Sequence, residues 1–266
     1  SVADGGLRDL LFEVLPQLLL NGIVIGSYYV LIALGLSIIF GVLGIAHFAH
    51  GSVVMLAGYI GYIVTTNYGI NIFLAMLISM AFATLVGVLL ERFVYRPVMD
   101  APPINSFIIA LALMLIIDNI ATIIFGPDQV AIRTANSSVV NFAGLSISSM
   151  RINLLITSVI LVGLLYIFMK YSKTGKAIRA VSQNREAAQI VGINTNRISS
   201  TVFALGSAIA GAAGVFIGVL FALYPAMGGH TVMKGFAVLI LGGLGSFSGA
   251  IIGGMVIGIT ESLGTA

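Results

Sequence analysis

The sequence predicts an all-α polytopic membrane protein: one bundle of about six to eight transmembrane helices, with broken or re-entrant segments, over residues 1–266. Three observations carry this. Hydrophobic residues make up 59% and charged residues 8% of the chain, at a mean hydropathy of +1.13, far from the soluble globular mix. Apolar runs recur at 15–40, 70–91, 103–125, 152–171, 199–222 and 236–260, with a less regular stretch at 52–66. Each run approaches the roughly 20 residues that cross a bilayer. Glycine, with 32 residues, sits mostly inside these runs, where small residues let helix backbones approach closely in lipid.

The chain opens with SVADGGLRDLLFEVLP, which has acids and no basic stretch ahead of its apolar run, so a cleaved signal peptide is not expected. The short amphipathic pattern at 7–15 is expected to lie on the membrane surface. The first long run then brings in Asn21, Ser27, Tyr28 and Tyr29. A path for a zwitterion calls for neutral hydrogen-bonding groups rather than permanent charges, which makes Asn21, Ser27 and Tyr29 pathway candidates. The competing reading is that the serine bonds to its own helix and the tyrosines sit at the water interface.

Two places interrupt the apolar runs with small and polar residues: 41–52 (GVLGIAHFAHGS) and 242–249 (GGLGSFSG). Irregular backbone at membrane depth persists only where protein or a water-filled cavity satisfies its polar groups. Broken helices there line a path, with half-helix ends presenting partial charge to a polar solute. Short turns between packed helices are the alternative. His47 and His50 are three apart and share a face on a helix. Two ligands with no nearby Asp, Glu or Cys do not make a metal site, so no metal is expected. A hydrogen bond across the broken helix stays open, as does contact of His50 with substrate.

Asp118 and Asn119 fall within the run 103–125, where an ionisable group is costly and a functional suspect by default. Asp118 can pair with a substrate ammonium or a partner subunit, or make a helix-to-helix hydrogen bond. Glu261, in GITESL, is readable either as deep in the bundle or as facing water at a chain end.

Positively charged short loops are retained in the cytoplasm. Arg92 and Arg96 mark one loop, and Lys170, Lys173, Lys176, Arg179, Arg185 and Arg197 another; together these are eight of the chain's 12 basic residues. The loop 126–151 holds only Arg133 and Arg151. The expected orientation therefore puts 92–102 and 172–198 inside the cell and 126–151 outside. The net charge of +3 reflects this asymmetry and calls for no nucleic-acid partner.

Residues 172–198 form a polar, basic loop. From Gly175 to Val191 good helix formers place Ala177, Ile178, Val181, Ala187, Ala188 and Val191 apart from the basic positions. A short amphipathic helix docking in a partner's groove is a recurring recognition mode. Glu186 is placed to pair with a basic group, Ala187 and Ala188 permit close approach, and Gly192 lets the chain turn back to the membrane. A solvated loop that only fixes topology is the competing reading.

Cysteine and tryptophan are absent, which excludes disulfides and thiol-bound clusters. The sequence contains no Gly-x4-Gly-Lys-Ser/Thr phosphate loop, so the chain is read as a transport subunit rather than an enzyme, with no cofactor of its own.

Several motifs occur in order: Asn21-Gly22-x3-Gly26-Ser27-x-Tyr29-x-Leu31-Ile32-Ala33, Phe48-Ala49-His50-Gly51, Glu91-Arg92 with Tyr95-Arg96-Pro97, and Leu241-Gly242-Gly243-Leu244-Gly245-Ser246. Together they resemble the inner-membrane permease subunit of branched-chain amino acid ABC importers, over nearly the whole chain. The resemblance implies a multi-pass protein of a bacterial-type inner membrane. It further implies a second, homologous permease subunit, a periplasmic substrate-binding protein, and ATP hydrolysed by separate cytoplasmic ATPase subunits. Glu186, Ala187, Ala188 and Gly192 match the family's Glu-Ala-Ala…Gly pattern, in which this helix transmits ATPase closure to the membrane segments.

The chain departs from the family twice: His47 stands where relatives usually carry Asn, and the sequence stops at Thr265-Ala266 without their final apolar segment, so a truncated chain is expected. Relatives on the same scaffold handle urea or short amides. A stand-alone channel or secondary transporter is a further alternative, as is a membrane enzyme using His47 and His50, for which the sequence offers no nucleophile or cofactor motif.

Overall fold

The computed structural model describes residues 2–99, 101–133, 138–142 and 145–265, with side chains throughout except at 2–13, 141, 142 and 145. Helix α1 (Val2–Leu43) ends where Gly44 takes φ +67°, and α2 (His50–Tyr68) ends on Gly69 at φ +64°. Both are left-handed conformations that glycine adopts without steric cost. Asn71 Oδ1 then accepts a hydrogen bond from the Phe73 backbone N–H at 2.9 Å and starts α3 (Ile72–Leu90). That helix widens into a π-turn over Glu91–Tyr95 and tightens into a 3₁₀ turn over Arg96–Val98. Pro103 opens α4 (Pro103–Phe125), where its missing N–H costs nothing.

Beyond α4 lies a short antiparallel hairpin, β1 (Val139–Phe142) with β2 (Leu145–Ser148), in register Val139 to Ser148. Ser148 caps α5 (Ser149–Tyr171) and Ser172 caps α6 (Lys173–Gln183). Asn184 caps α7 (Arg185–Ile190), and Asn194 caps α8 (Thr195–Leu220). The chain closes with α9 (Met227–Gly242) and α10 (Phe247–Gly264).

Six of these helices are long and apolar enough to cross a membrane among the described residues: α1 from Val14, α3 through Val98, α4, α5, α8 and α10. The 16-residue α9 and the less apolar α2 complete the bundle. The sequence-expected all-α polytopic architecture is therefore observed. The interruption expected at 242–249 divides the apolar run 236–260 into α9 and α10, because Gly243 and Gly245 turn the chain at φ +94° and +78° and Ser246 caps the new helix. One detail differs. The stretch 7–15 is the backbone start of α1 rather than a separate helix, and its side chains up to residue 13 lie outside the described set.

Helices α1, α2 and α8 form the centre, with α8 between the other two; α4 and α5 turn most of their apolar side chains outward. Small residues set the spacing. A Cβ on Gly258 of α10 would stand 2.3 Å from the Gly26 Cα of α1, and one on Gly214 of α8 would stand 2.3 Å from the Val54 carbonyl oxygen of α2. Such helix pairs gain by van der Waals contact at close range, since lipid offers no hydrophobic drive between apolar helices.

Both irregular segments lie toward the end of the bundle that carries the basic loop, where Gly41 and Gly245 meet with a Cβ-to-Cα allowance of 2.8 Å. The first is enclosed by protein, with Ile45, His47 and Ala49 buried.

Candidate functional site

Toward the end that carries the β-hairpin, α1, α8, α9 and α10 enclose a cavity of about 300 Å³. Tyr28 and Tyr29 come from α1, Ile217 from α8, Met227, His230, Thr231 and Lys234 from α9, and Glu261 from α10; Phe221 lies in the link after α8. The polar groups converge. Lys234 Nζ donates to Glu261 Oε1 and, at 2.7 Å, to the Tyr29 hydroxyl, which itself donates to Glu261 Oε2 at 2.5 Å. The Lys234 ammonium also stands 5.3 Å from the Tyr29 ring centroid, within cation–π range.

Phe221 also borders a second, smaller cavity of about 160 Å³ with Asn21, Arg151 and Ser262. There Asn21 Oδ1 accepts from Arg151 Nη1 at 3.0 Å.

Of the six pathway residues read from sequence, Tyr29 lies in the larger cavity and Asn21 in the smaller. Ser27 is buried and donates to the Val24 carbonyl of its own helix at 2.7 Å. Asn119 donates to the Leu115 carbonyl at 2.7 Å, again within one helix. Asp118 accepts from Ser52 Oγ at 2.6 Å and stands against Gly228, so it joins α4 to α2 and α9. His50 is fully buried with its ring against Gly35 of α1.

Sequence reasoning passed over Lys234 and left Glu261 ambiguous. The signal available was a basic residue inside the apolar context of α9, where an ionisable side chain implies a partner.

A second polar cluster lies near the other end. Glu91, fully buried, accepts from Arg96 Nε at 3.1 Å and Arg96 Nη2 at 2.8 Å, from Ser199 Oγ at 2.9 Å and from Ser200 Oγ at 2.8 Å. Four donors on one carboxylate make a satisfied network rather than an isolated buried charge. It ties the π-turn after α3 to the first turns of α8. In the same turn the Tyr95 hydroxyl lies 2.7 Å from His47 Nδ1, and His47, Tyr95 and Phe203 pack as a ring cluster. A π-turn of this kind often marks a functional position.

The basic loop is two helices instead of the single one expected. Asn184 ends α6 and caps α7, its Oδ1 accepting from the Ala187 N–H at 2.9 Å. Arg179 reaches back from α6 to the Met169 and Lys170 carbonyls, which α5 leaves open at its end. Beside it a cavity of about 490 Å³ opens between α1, α5, α6 and the α9–α10 turn, lined by Gly41, Arg179 and Gly245 among others.

Within α7, Glu186 and Ala187 are exposed, while Ala188 is buried against the bundle. Ile190 and Val191 follow at 86% and 75% exposure, an apolar pair standing clear of the bundle. Gly192 then turns the chain at φ +85°. Gln189 Nε2 donates to Thr195 Oγ1 at 2.9 Å and fastens α7 to the start of α8.

Residues 18–266 match the family model described as branched-chain amino acid transport system / permease component. The chain is 32% identical over 265 residues to the high-affinity branched-chain amino acid transport system permease protein LivH of Escherichia coli (strain K12), covering 94% of this chain and 86% of that protein. It is 31% identical over 262 residues to the permease protein BraD of Pseudomonas aeruginosa, covering 93% and 85%. A probable branched-chain amino acid transport permease protein of Methanocaldococcus jannaschii is 30% identical over 266 residues, covering 96% and 82%.

Proposed function

Because this chain belongs to the family of branched-chain amino acid transport permease components, we propose that it passes branched-chain amino acids across the inner membrane as one permease of an ATP-driven importer. The observation that carries the reading is the extent of the match, which runs from residue 18 to 266 and takes in the bundle and the loop together. A second permease subunit forms the other wall of the path, a binding protein delivers the solute outside, and separate ATPase subunits work inside.

In this reading residues 172–198 form the coupling loop, and α7 is its contact element. Ala188 holds α7 against the bundle, which leaves Glu186, Ala187, Ile190 and Val191 to meet the ATPase. Force on α7 then has a route inward. It passes through Gln189 and Thr195 to α8, through Ser199 and Ser200 to Glu91, and from the Tyr95 turn to the His47 segment. Each step is a hydrogen bond between distinct elements, so α8 cannot shift along its axis without loading the broken segment.

Reconstitution in vesicles tests the function. Uptake of a branched-chain amino acid is expected only when the partner permease, the ATPase subunits, ATP and the loaded binding protein are all present. Uptake by the purified chain alone would overturn the reading in favour of a self-sufficient carrier.

A further inference from the structure

We infer that the cavity between Tyr29, Phe221, Met227, Lys234 and Glu261 is a station for the charged head of a free α-amino acid. Its carboxylate binds Lys234, its ammonium binds Glu261, and its apolar side chain lies along Ile217, Phe221 and Met227. This rests on the permease reading and deepens it by naming the residues that recognise the solute.

The exposure of the pair supplies the first argument. Lys234 and Glu261 side chains are 31% and 37% exposed in the middle of α9 and near the end of α10. A charged pair is disfavoured against hydrocarbon, so these side chains face water, a polar solute or the second permease subunit.

Chemistry supplies the second. The two charges satisfy each other and Tyr29 bridges them, so neither is left uncompensated. A zwitterion entering between them exchanges one ion pair for two and changes no net charge. A neutral sugar or amide has no such exchange to offer. In this proposal the path adds to the neutral groups expected from sequence a pair that is neutral in sum.

Shape supplies the third. Lys234 and Glu261 come from the middle of α9 and near the end of α10, while the apolar wall is made by Ile217 of α8, Phe221 just after it and Met227 at the start of α9, which suits a ligand charged at one end and oily at the other. The volume of about 300 Å³ lies at the small end of the roughly 300–1,000 Å³ usual for small-molecule pockets. The adjoining cavity at Asn21 and Arg151 shares the Phe221 wall and leads toward the hairpin end.

The test uses the complete assembly in proteoliposomes, with ATP-driven uptake of labelled leucine as the readout and co-purification as the measure of assembly. Lys234→Gln and Glu261→Gln should each lower uptake about tenfold or more. The reversed pair, Lys234→Glu with Glu261→Lys, should recover thermal stability but not uptake, because the apolar wall fixes which end of the ligand meets which charge. Uptake within about twofold of wild type in either neutral variant, or its return in the reversed pair, would make the contact a structural tie between α9 and α10 and overturn the assignment. In the wild-type assembly without binding protein, millimolar leucine should slow carbodiimide modification of Glu261, read by mass spectrometry, whereas fructose should not. Equal rates with both solutes overturn the site whatever the variants do. A wild-type assembly that moves no branched-chain amino acid under ATP overturns the importer reading and this site with it.

Discussion

His47 Nδ1 lies 2.7 Å from the Tyr95 hydroxyl, so the irregular segment between α1 and α2 is pinned to the π-turn that ends α3. Both residues are fully buried, and His47 Nε2 has no partner among the described residues. Tyr95→Phe leaves the imidazole with neither nitrogen bonded. The expected cost is about 1–3 kcal/mol, the usual penalty for stranding a buried polar group, read by denaturant titration in detergent. An unchanged midpoint would mean that the contact contributes nothing.

Glu91→Ala removes the acceptor for Arg96, Ser199 and Ser200 at once. Breaking a fully buried pair costs roughly 3–5 kcal/mol. Arg96 is 31% exposed and can turn to water, which lowers the expectation to about 2 kcal/mol. Glu91→Gln keeps acceptor oxygen for the serines and should lose less. The same titration ranks the two, and equal losses would contradict the network.

Gly192 stands at φ +85° with open space where a Cβ would go, so a substitution there is strained by backbone and not by contact. Gly192→Val should cost about 1–3 kcal/mol locally and reset the path of α7 into α8. Under the proposed coupling role, uptake falls while ATP hydrolysis by the assembled complex continues. Glu186→Lys, on the exposed face of α7, should act the same way. Full ATP-driven uptake in both variants counts against the loop as the contact element.

Gly258→Leu should separate α1 from α10, since even a Cβ would stand 2.3 Å from the Gly26 Cα. Loss of folded protein is expected on size-exclusion chromatography. Gly163→Leu in α5 is the control, because nothing lies within 4 Å of the added carbon. Folded yield that drops equally in both would mean that added bulk as such, not close packing of α1 on α10, governs the outcome.

The membrane class and the placing of most helices were legible because hydropathy reports the solvent directly. The turn at Gly243–Ser246 was legible for a related reason: Gly243, Gly245 and Ser246, small residues clustered among branched ones, signal a turn or a close contact. The Lys234–Glu261 pair was not. Its members are 27 residues apart on different helices, and nothing local in either sequence names the other. Glu91 entered only as part of the Glu91-Arg92 motif, yet burial makes it the centre of a four-donor network. The β-hairpin at Val139–Ser148 escaped notice because each strand is only four residues long, too short for its alternation to stand out. In the loop 172–198, periodicity gave the helical character of 175–191, but only the Asn184 cap splits it in two.

Ile190 and Val191 leave an oily knuckle on the watery side of an otherwise charged elbow. Under the proposed coupling role, a subunit synthesised in excess of its motor carries that adhesive spot uncovered, and surplus copies should cling to one another or to whatever grease is near. In that reading a single pair of side chains favours matched production of the two proteins.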